Sequence, residues 1–225
     1  MALSRAGRRD CDLFLRRFLY VQRIEYDHEK PFRKMTQDLI NIDKTYEKVV
    51  FFGDRLNNRE FDGCVFRNCD FSGTTFFECV FIDCEFFDCN LAMAKLPATS
   101  LKTVIFRESK MLGIRFDECD DFLFSVNFTD CTLDYSWFSR KKMPKTRFDH
   151  SSLKGVNFEN TDLTSSIFDH CNLEEAVFDS SNLTGADLTT AYHFRIDPEL
   201  NTIKKARFSI SGIPGLLDKY DIKIE

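Results

Sequence analysis

The residues of this chain best suited to chemistry are its nine cysteines and four histidines. A thiolate serves as nucleophile, redox centre or soft-metal ligand, and an imidazole as base or ligand, only where the fold gathers them and tunes their proton affinity. The spacing speaks against such gathering. Cys64, Cys69, Cys79, Cys84 and Cys89 lie five or ten residues apart, which misses the short loops of zinc sites. Cys131 and Cys171 keep the same beat, at positions where Ala, Ser, Thr and Val stand elsewhere, so these thiols read as small core fillers. Cys119 lies where the beat slips, and the sequence assigns it no environment. An odd number of cysteines in a chain of 225 residues also does not fit a small secreted disulfide scaffold. His28, His150, His170 and His193 make no triad. His150 and His170 are twenty apart, each after an aspartate (Asp149, Asp169); the spacing predicts a stacked surface ladder, with a metal pair as the alternative. No phosphate loop, nucleophile elbow or paired-carboxylate motif occurs. The expectation is a chain with no catalytic residue, no cofactor and no resident metal, and therefore not an enzyme.

A five-residue clock must position these side chains. From Phe51 a large apolar residue recurs at every fifth position through Phe116, as in Phe61, Phe66, Phe71, Phe76, Phe81 and Phe86. The phase slips by two residues across Asp117–Phe122, then resumes from Leu123 and Phe128 through Leu188, giving 28 sites. Neither the helical period of about 3.6 nor the strand period of 2 produces this rhythm. Two residues before most of these sites stands something small: Cys64, Thr74, Cys84, Ala94, Thr161, Ser166, with Arg59 and Lys141 as exceptions. Residues two apart on an extended segment share a face, so each unit sends one large and one small side chain inward and then bends.

The second block fixes the number of sides. Positions 128, 138, 148, 158, 168 and 178 are all Phe, whereas 133, 143, 153, 163, 173 and 183 are Leu or Met. Equivalence at every tenth residue demands an even number of sides; two enclose nothing, and four give uniform columns. Seven coils follow, in a rod about 34 Å long at the β spacing of about 4.8 Å. The repeated niche also accounts for 25 Phe against one Trp and six Tyr.

A central large apolar residue, a small one two before it and polar filler, as in Ala186-Asp187-Leu188, resemble the pentapeptide-repeat family over residues 46–190. The resemblance implies an all-β solenoid, a right-handed quadrilateral β-helix, here of about seven coils with a short C-terminal helix and strand. It is similar to the quinolone-resistance (Qnr-like) group, whose acidic rods occupy the DNA-binding saddle of type II topoisomerases.

The expected organisation is a basic N-terminal extension over 1–45, the repeat over 46–190, and a partial coil, capping helix and strand over 191–225. Residues 1–34 hold nine Lys/Arg against five Asp/Glu, leaving 22 against 31 in an acidic body. Cys11–Ile24 has the pattern of an amphipathic helix. It is read either as an appendage that contacts nucleic acid or a partner, or, the favoured reading, as a start placed too early, with Met35 opening the true protein. Arg16 and Arg17 interrupt the only stretch that resembles a signal peptide, and no apolar run spans a bilayer, so a cytoplasmic location without membrane attachment is expected. Ser211–Tyr220 reads as a capping helix with Pro214 in its first turn, and Asp221–Glu225 as an edge strand. Leu216, Leu217, Tyr220, Ile222 and Ile224 form the expected homodimer interface, since an open edge seeks a partner. Two functions fit: a protein-interaction scaffold with an unnamed partner or, from the resemblance, a DNA mimic that binds DNA gyrase or topoisomerase IV and modulates quinolone susceptibility. Neither involves direct nucleic-acid binding by the rod. Against the mimic stand the absence of long inserted loops and five cations (Arg140, Lys141, Lys142, Lys145, Arg147), which would repel a basic saddle.

Overall fold

In many of the pentapeptides a three-residue extended piece buries only its middle side chain, as in Glu60–Asp62, Val65–Arg67 and Thr75–Phe77. The residue two past that centre turns the corner with a left-handed φ, for example Asn68 (52°), Asp83 (50°) and Asp88 (49°). At Phe71–Thr74 the corner residue is Gly73 (φ 65°), and the Thr74 N–H donates to the Phe71 carbonyl at 3.0 Å, the pattern of a type II turn. Four corners bring the chain back on itself. Phe66 pairs in parallel with Phe86, and Phe61 with Phe81.

The computed structural model describes residues 38–223; the segment expected to form the Cys11–Ile24 helix, and Ile224, lie outside them. A nine-stranded parallel sheet runs along one side from Thr45–Glu47 to Arg207–Phe208, and a four-stranded sheet along the neighbouring side from Ile40–Ile42 to Ser100–Lys102. Nine rungs make about eight turns, one more than expected. The coil starts earlier, with Ile40–Ile42 paired in parallel to Glu60–Asp62, and Ile203 and Phe208, in the partial coil read within 191–225, pack against the core. Among the described residues no helix is long and apolar enough to cross a membrane.

Phe fills the interior because the rung spacing of about 4.8 Å matches ring stacking. Phe66, Phe86, Phe106, Phe128, Phe148 and Phe168 form one column, with centroids 4.5 to 5.4 Å apart. Phe116, Phe138, Phe158 and Phe178 form another on the opposite side. The two columns meet edge to face, Phe138 against Phe148 at 83° and Phe148 against Phe158 at 79°. The small inward site does more than fill space. At many of these sites the hydroxyl or thiol donates to a backbone carbonyl of the turn below: Thr74 to Phe51 (2.6 Å), Thr161 to Phe138 (2.9 Å), Cys84 to Phe61 (3.3 Å).

Two expectations fail at the slip. Leu123 is not an inward residue but is 64% exposed, and Phe124 takes the buried site. The extra residues move the left-handed corner to Leu123 (φ 58°), so the side chain after it is the one that turns in. Register across the slip is 22, Phe106 against Phe128. Lys141, counted among the surface cations, is 2% exposed. It occupies the small inward column of Cys79, Thr99, Cys119, Thr161 and Ser181. Elsewhere in this column the next N–H donates to the carbonyl one turn down, Ser100 to Cys79, Asp120 to Thr99, Asp162 to Lys141 and Asn182 to Thr161. At the slip the Cys119 carbonyl instead accepts from Lys141 Nζ at 2.5 Å. The same ammonium reaches Asp121 Oδ1 (2.6 Å) and lies 5.1 Å from the centre of the Phe124 ring.

At the C-terminal end, Pro214–Leu217 forms one helical turn with Pro at its start, between 3-10 turns at Ile210–Gly212 and Asp218–Tyr220. Lys219 ties this tail to Asp197 (2.8 Å) and Glu199 (2.6 Å). The edge strand expected from Asp221 is not formed over 221–223. Asp221 adopts a left-handed φ of 47°, which breaks the extended run.

Candidate interaction surface

The thiols named by the sequence lie inside. All eight described cysteines are unpaired and buried, Cys119 among them. Burial pushes the Cys131 thiol up to about 11 and the Cys171 thiol up to about 12, so neither is a nucleophile near neutral pH. Among the described residues no three His, Cys, Asp or Glu converge as a metal site. Whatever the molecule recognises meets its outer positions: the residues flanking each inward centre, and the corners.

One corner is acidic over successive turns. Asp88, Glu108 and Asp130 are stacked left-handed residues, each N–H bonded to the turn above (Asp88 to Arg107 O, Glu108 to Thr129 O, Asp130 to Asp149 O). All three carboxylates are exposed. Asp149, His150, Asp169 and His170 continue this ridge. The imidazoles stack at 4.7 Å, which is the ladder arrangement, and the aspartate beside His150 raises its proton affinity.

A second feature lies beside the slip. Arg115, Asp117, Asp121, Trp137, Ser139, Arg140 and Glu159 line a surface depression of about 370 Å³. The Arg115 guanidinium sits 4.8 Å over the Trp137 ring and pairs with Asp117 at 2.5 Å. Trp137 is 40% exposed. The sequence reading passed over this cluster, although the chain's single Trp, placed just before the inward Phe138, was bound to face outward. The cation patch is smaller than expected: Arg140, Lys142, Lys145 and Arg147 are exposed while Lys141 is not, and Arg147 lies 3.5 Å from Asp169.

The sequence profile of the pentapeptide repeat region matches residues 59–138, and the profile of eight-copy pentapeptide repeats matches 127–168 and 157–192. The chain belongs to the pentapeptide-repeat family. Among solved structures, this pentapeptide-repeat protein is similar to two trypsin-treated variants of QnrB1, described as a plasmid-mediated fluoroquinolone resistance protein. One has a TM-score of 0.64 at 18% identity, covering 83% of this chain and 99% of the other. The second has a TM-score of 0.63 at 19% identity, covering 83% and 98%. Likeness at that identity is likeness of fold. No curated protein sequence matches the chain.

The residues expected at a dimer interface divide. Leu216 is buried in the chain's own last coil, Leu217 is half-buried, and Tyr220 and Ile222 are 51% and 55% exposed. Tyr220 Oη donates to Glu199 at 2.9 Å. Ile224 is outside the described residues. Ile210, which the sequence reading did not select, is 93% exposed.

Proposed function

We propose that this pentapeptide-repeat protein performs no chemistry of its own and acts as a rigid rod whose outer faces bind a partner protein. The arrangement of its reactive groups carries this reading: the thiols are sealed among stacked Phe rings, while ordered charge and an Arg–Trp cluster face outward. Capture from a bacterial lysate with the rod as bait, compared with a rod carrying Arg115→Ala and Trp137→Ala, tests it; a partner retained equally by both places binding elsewhere on the rod, and no retained partner opposes the proposal.

A narrower reading makes the partner DNA gyrase or topoisomerase IV, with the rod in the place of DNA. It is supported by the acidic ridge from Asp88 to Asp169, by likeness to a fluoroquinolone resistance protein, and by the withdrawal of Lys141 from the cation patch. Gyrase supercoiling with and without a quinolone, at rising rod concentration, is the direct assay. In this reading the rod is cytoplasmic and pairs through its C-terminal tail, with Leu217, Tyr220, Ile222 and Ile224 joined by Ile210. Sedimentation of the full chain against one ending at Ser211 separates dimer from monomer.

A further inference from the structure

The acidic ridge ends in two imidazoles to which the proposed function assigns no role. Asp130, His150 and His170 occupy the same corner on successive turns, with φ of 53°, 47° and 50°, and the His150 N–H donates to the Asp169 carbonyl at 2.8 Å. The His150 and His170 rings are parallel within 8°, with centroids 4.7 Å apart. Each Nδ1 lies against the carboxylate that precedes it, Asp149 Oδ1 at 2.6 Å and Asp169 Oδ1 at 2.8 Å. A carboxylate only accepts, so in the neutral ring the proton sits on Nδ1 and the lone pair on Nε2. Metal-ligating histidines are held in this way, one nitrogen donating to a carboxylate and the other free for the ion. Asp169 is itself fixed by Thr190 Oγ1 (2.8 Å). Arg147 stands 3.9 Å from Asp149 and 3.5 Å from Asp169.

We propose that His150 and His170 bind a divalent transition ion of the zinc class through their two Nε2 atoms. No third protein ligand converges there among the described residues, so water or a group from a bound partner completes the shell, and the ion exchanges readily. Zinc–nitrogen bonds of about 2.0–2.1 Å require the outer ring edges to close by roughly 1 Å. Side chains 56% and 57% exposed have the room to tilt that far. Asp130, one turn below in the same corner, adds negative charge that draws the cation.

The test is titration of the full chain with Zn²⁺ alone near pH 8, read by competition with a chromophoric chelator. One equivalent is expected, lost in His150→Asn and in His170→Asn. Asparagine accepts the left-handed corner, so far-ultraviolet circular dichroism should match the unaltered chain. Asp149→Asn should weaken binding about tenfold or more, and His193→Asn should leave it unchanged. The proposal is overturned if the equivalent survives in either His150→Asn or His170→Asn, or if the unaltered chain takes up no zinc saturably.

Discussion

Replacing Lys141 with methionine isolates the device that closes the coil at the slip. Methionine keeps most of the apolar stem, so little cavity opens beside Phe124. The substitution removes the ammonium from the Cys119 carbonyl (2.5 Å) and from Asp121 (2.6 Å). A hydrogen bond involving a charged group contributes about 1.5–3 kcal/mol, and a buried carbonyl left unmet costs about 1–3 kcal/mol. Set against these is the desolvation of a buried ammonium, which methionine avoids and which can make such replacements neutral. The Lys141 side chain is 2% exposed and that of Asp121 80%, so the hydration the ammonium loses is offset by the carbonyl and by a carboxylate that itself stays hydrated. Lys141→Met should therefore destabilise by about 2 kcal/mol, a fall in Tm of roughly 4–8 °C for a chain of this size. Asp121→Asn should cost less, about 1 kcal/mol or below, because an exposed partner is screened. Urea unfolding followed by circular dichroism measures both, with an unchanged m-value as the check that one transition is being compared. Equal or greater stability of Lys141→Met would refute the reasoning, since desolvation would then outweigh the carbonyl bond.

Phe158→Ala should cost about 3–5 kcal/mol, because Phe158 is fully buried and stacked between Phe138 and Phe178; Cys171→Ala should be nearly neutral, and a loss above about 2 kcal/mol would contradict its role as filler. Hydrogen bonding to Lys219 holds the Asp197 and Glu199 carboxyls below their usual range. Their folded values lie beneath the unfolded ones, so the contribution is complete above the unfolded range of about 4 and is lost as pH falls through the folded values. Amide protection over Pro214–Tyr220 should therefore drop in acid before that of the Phe columns, and simultaneous loss would show that the ion pairs do not hold the tail.

The coil was legible because large residues recur at every fifth position, and in the second block Phe at every tenth leaves one even-sided solution with room for side chains. The corners were less so, since residues as unlike as Asp88, Tyr135 and Lys145 all take left-handed φ; closure of the coil overrides local preference there. At the slip, periodicity counts the extra residues but not where they bulge, and Leu123 and Phe124 are equally apolar candidates for the inward site. Lys141 sat visibly in a small inward column, yet lysine is so seldom buried that a surface patch was the natural reading; its sign was the missing rung above Cys119, which exists only in three dimensions. The tail misled because Ile222 and Ile224 alternate like a strand, whereas Asp221 turns the chain.

Binding of the purified rod to purified gyrase or topoisomerase IV, measured with rising salt and with duplex DNA as competitor, tests the proposed role most directly. The expected result is association that duplex displaces and salt weakens steeply, with a marked loss when Asp88, Glu108 and Asp130 are neutralised to Asn, Gln and Asn. Association indifferent to duplex and to those three substitutions would contradict a role for the acidic ridge, and absence of association with either enzyme would remove the type II topoisomerases as partners.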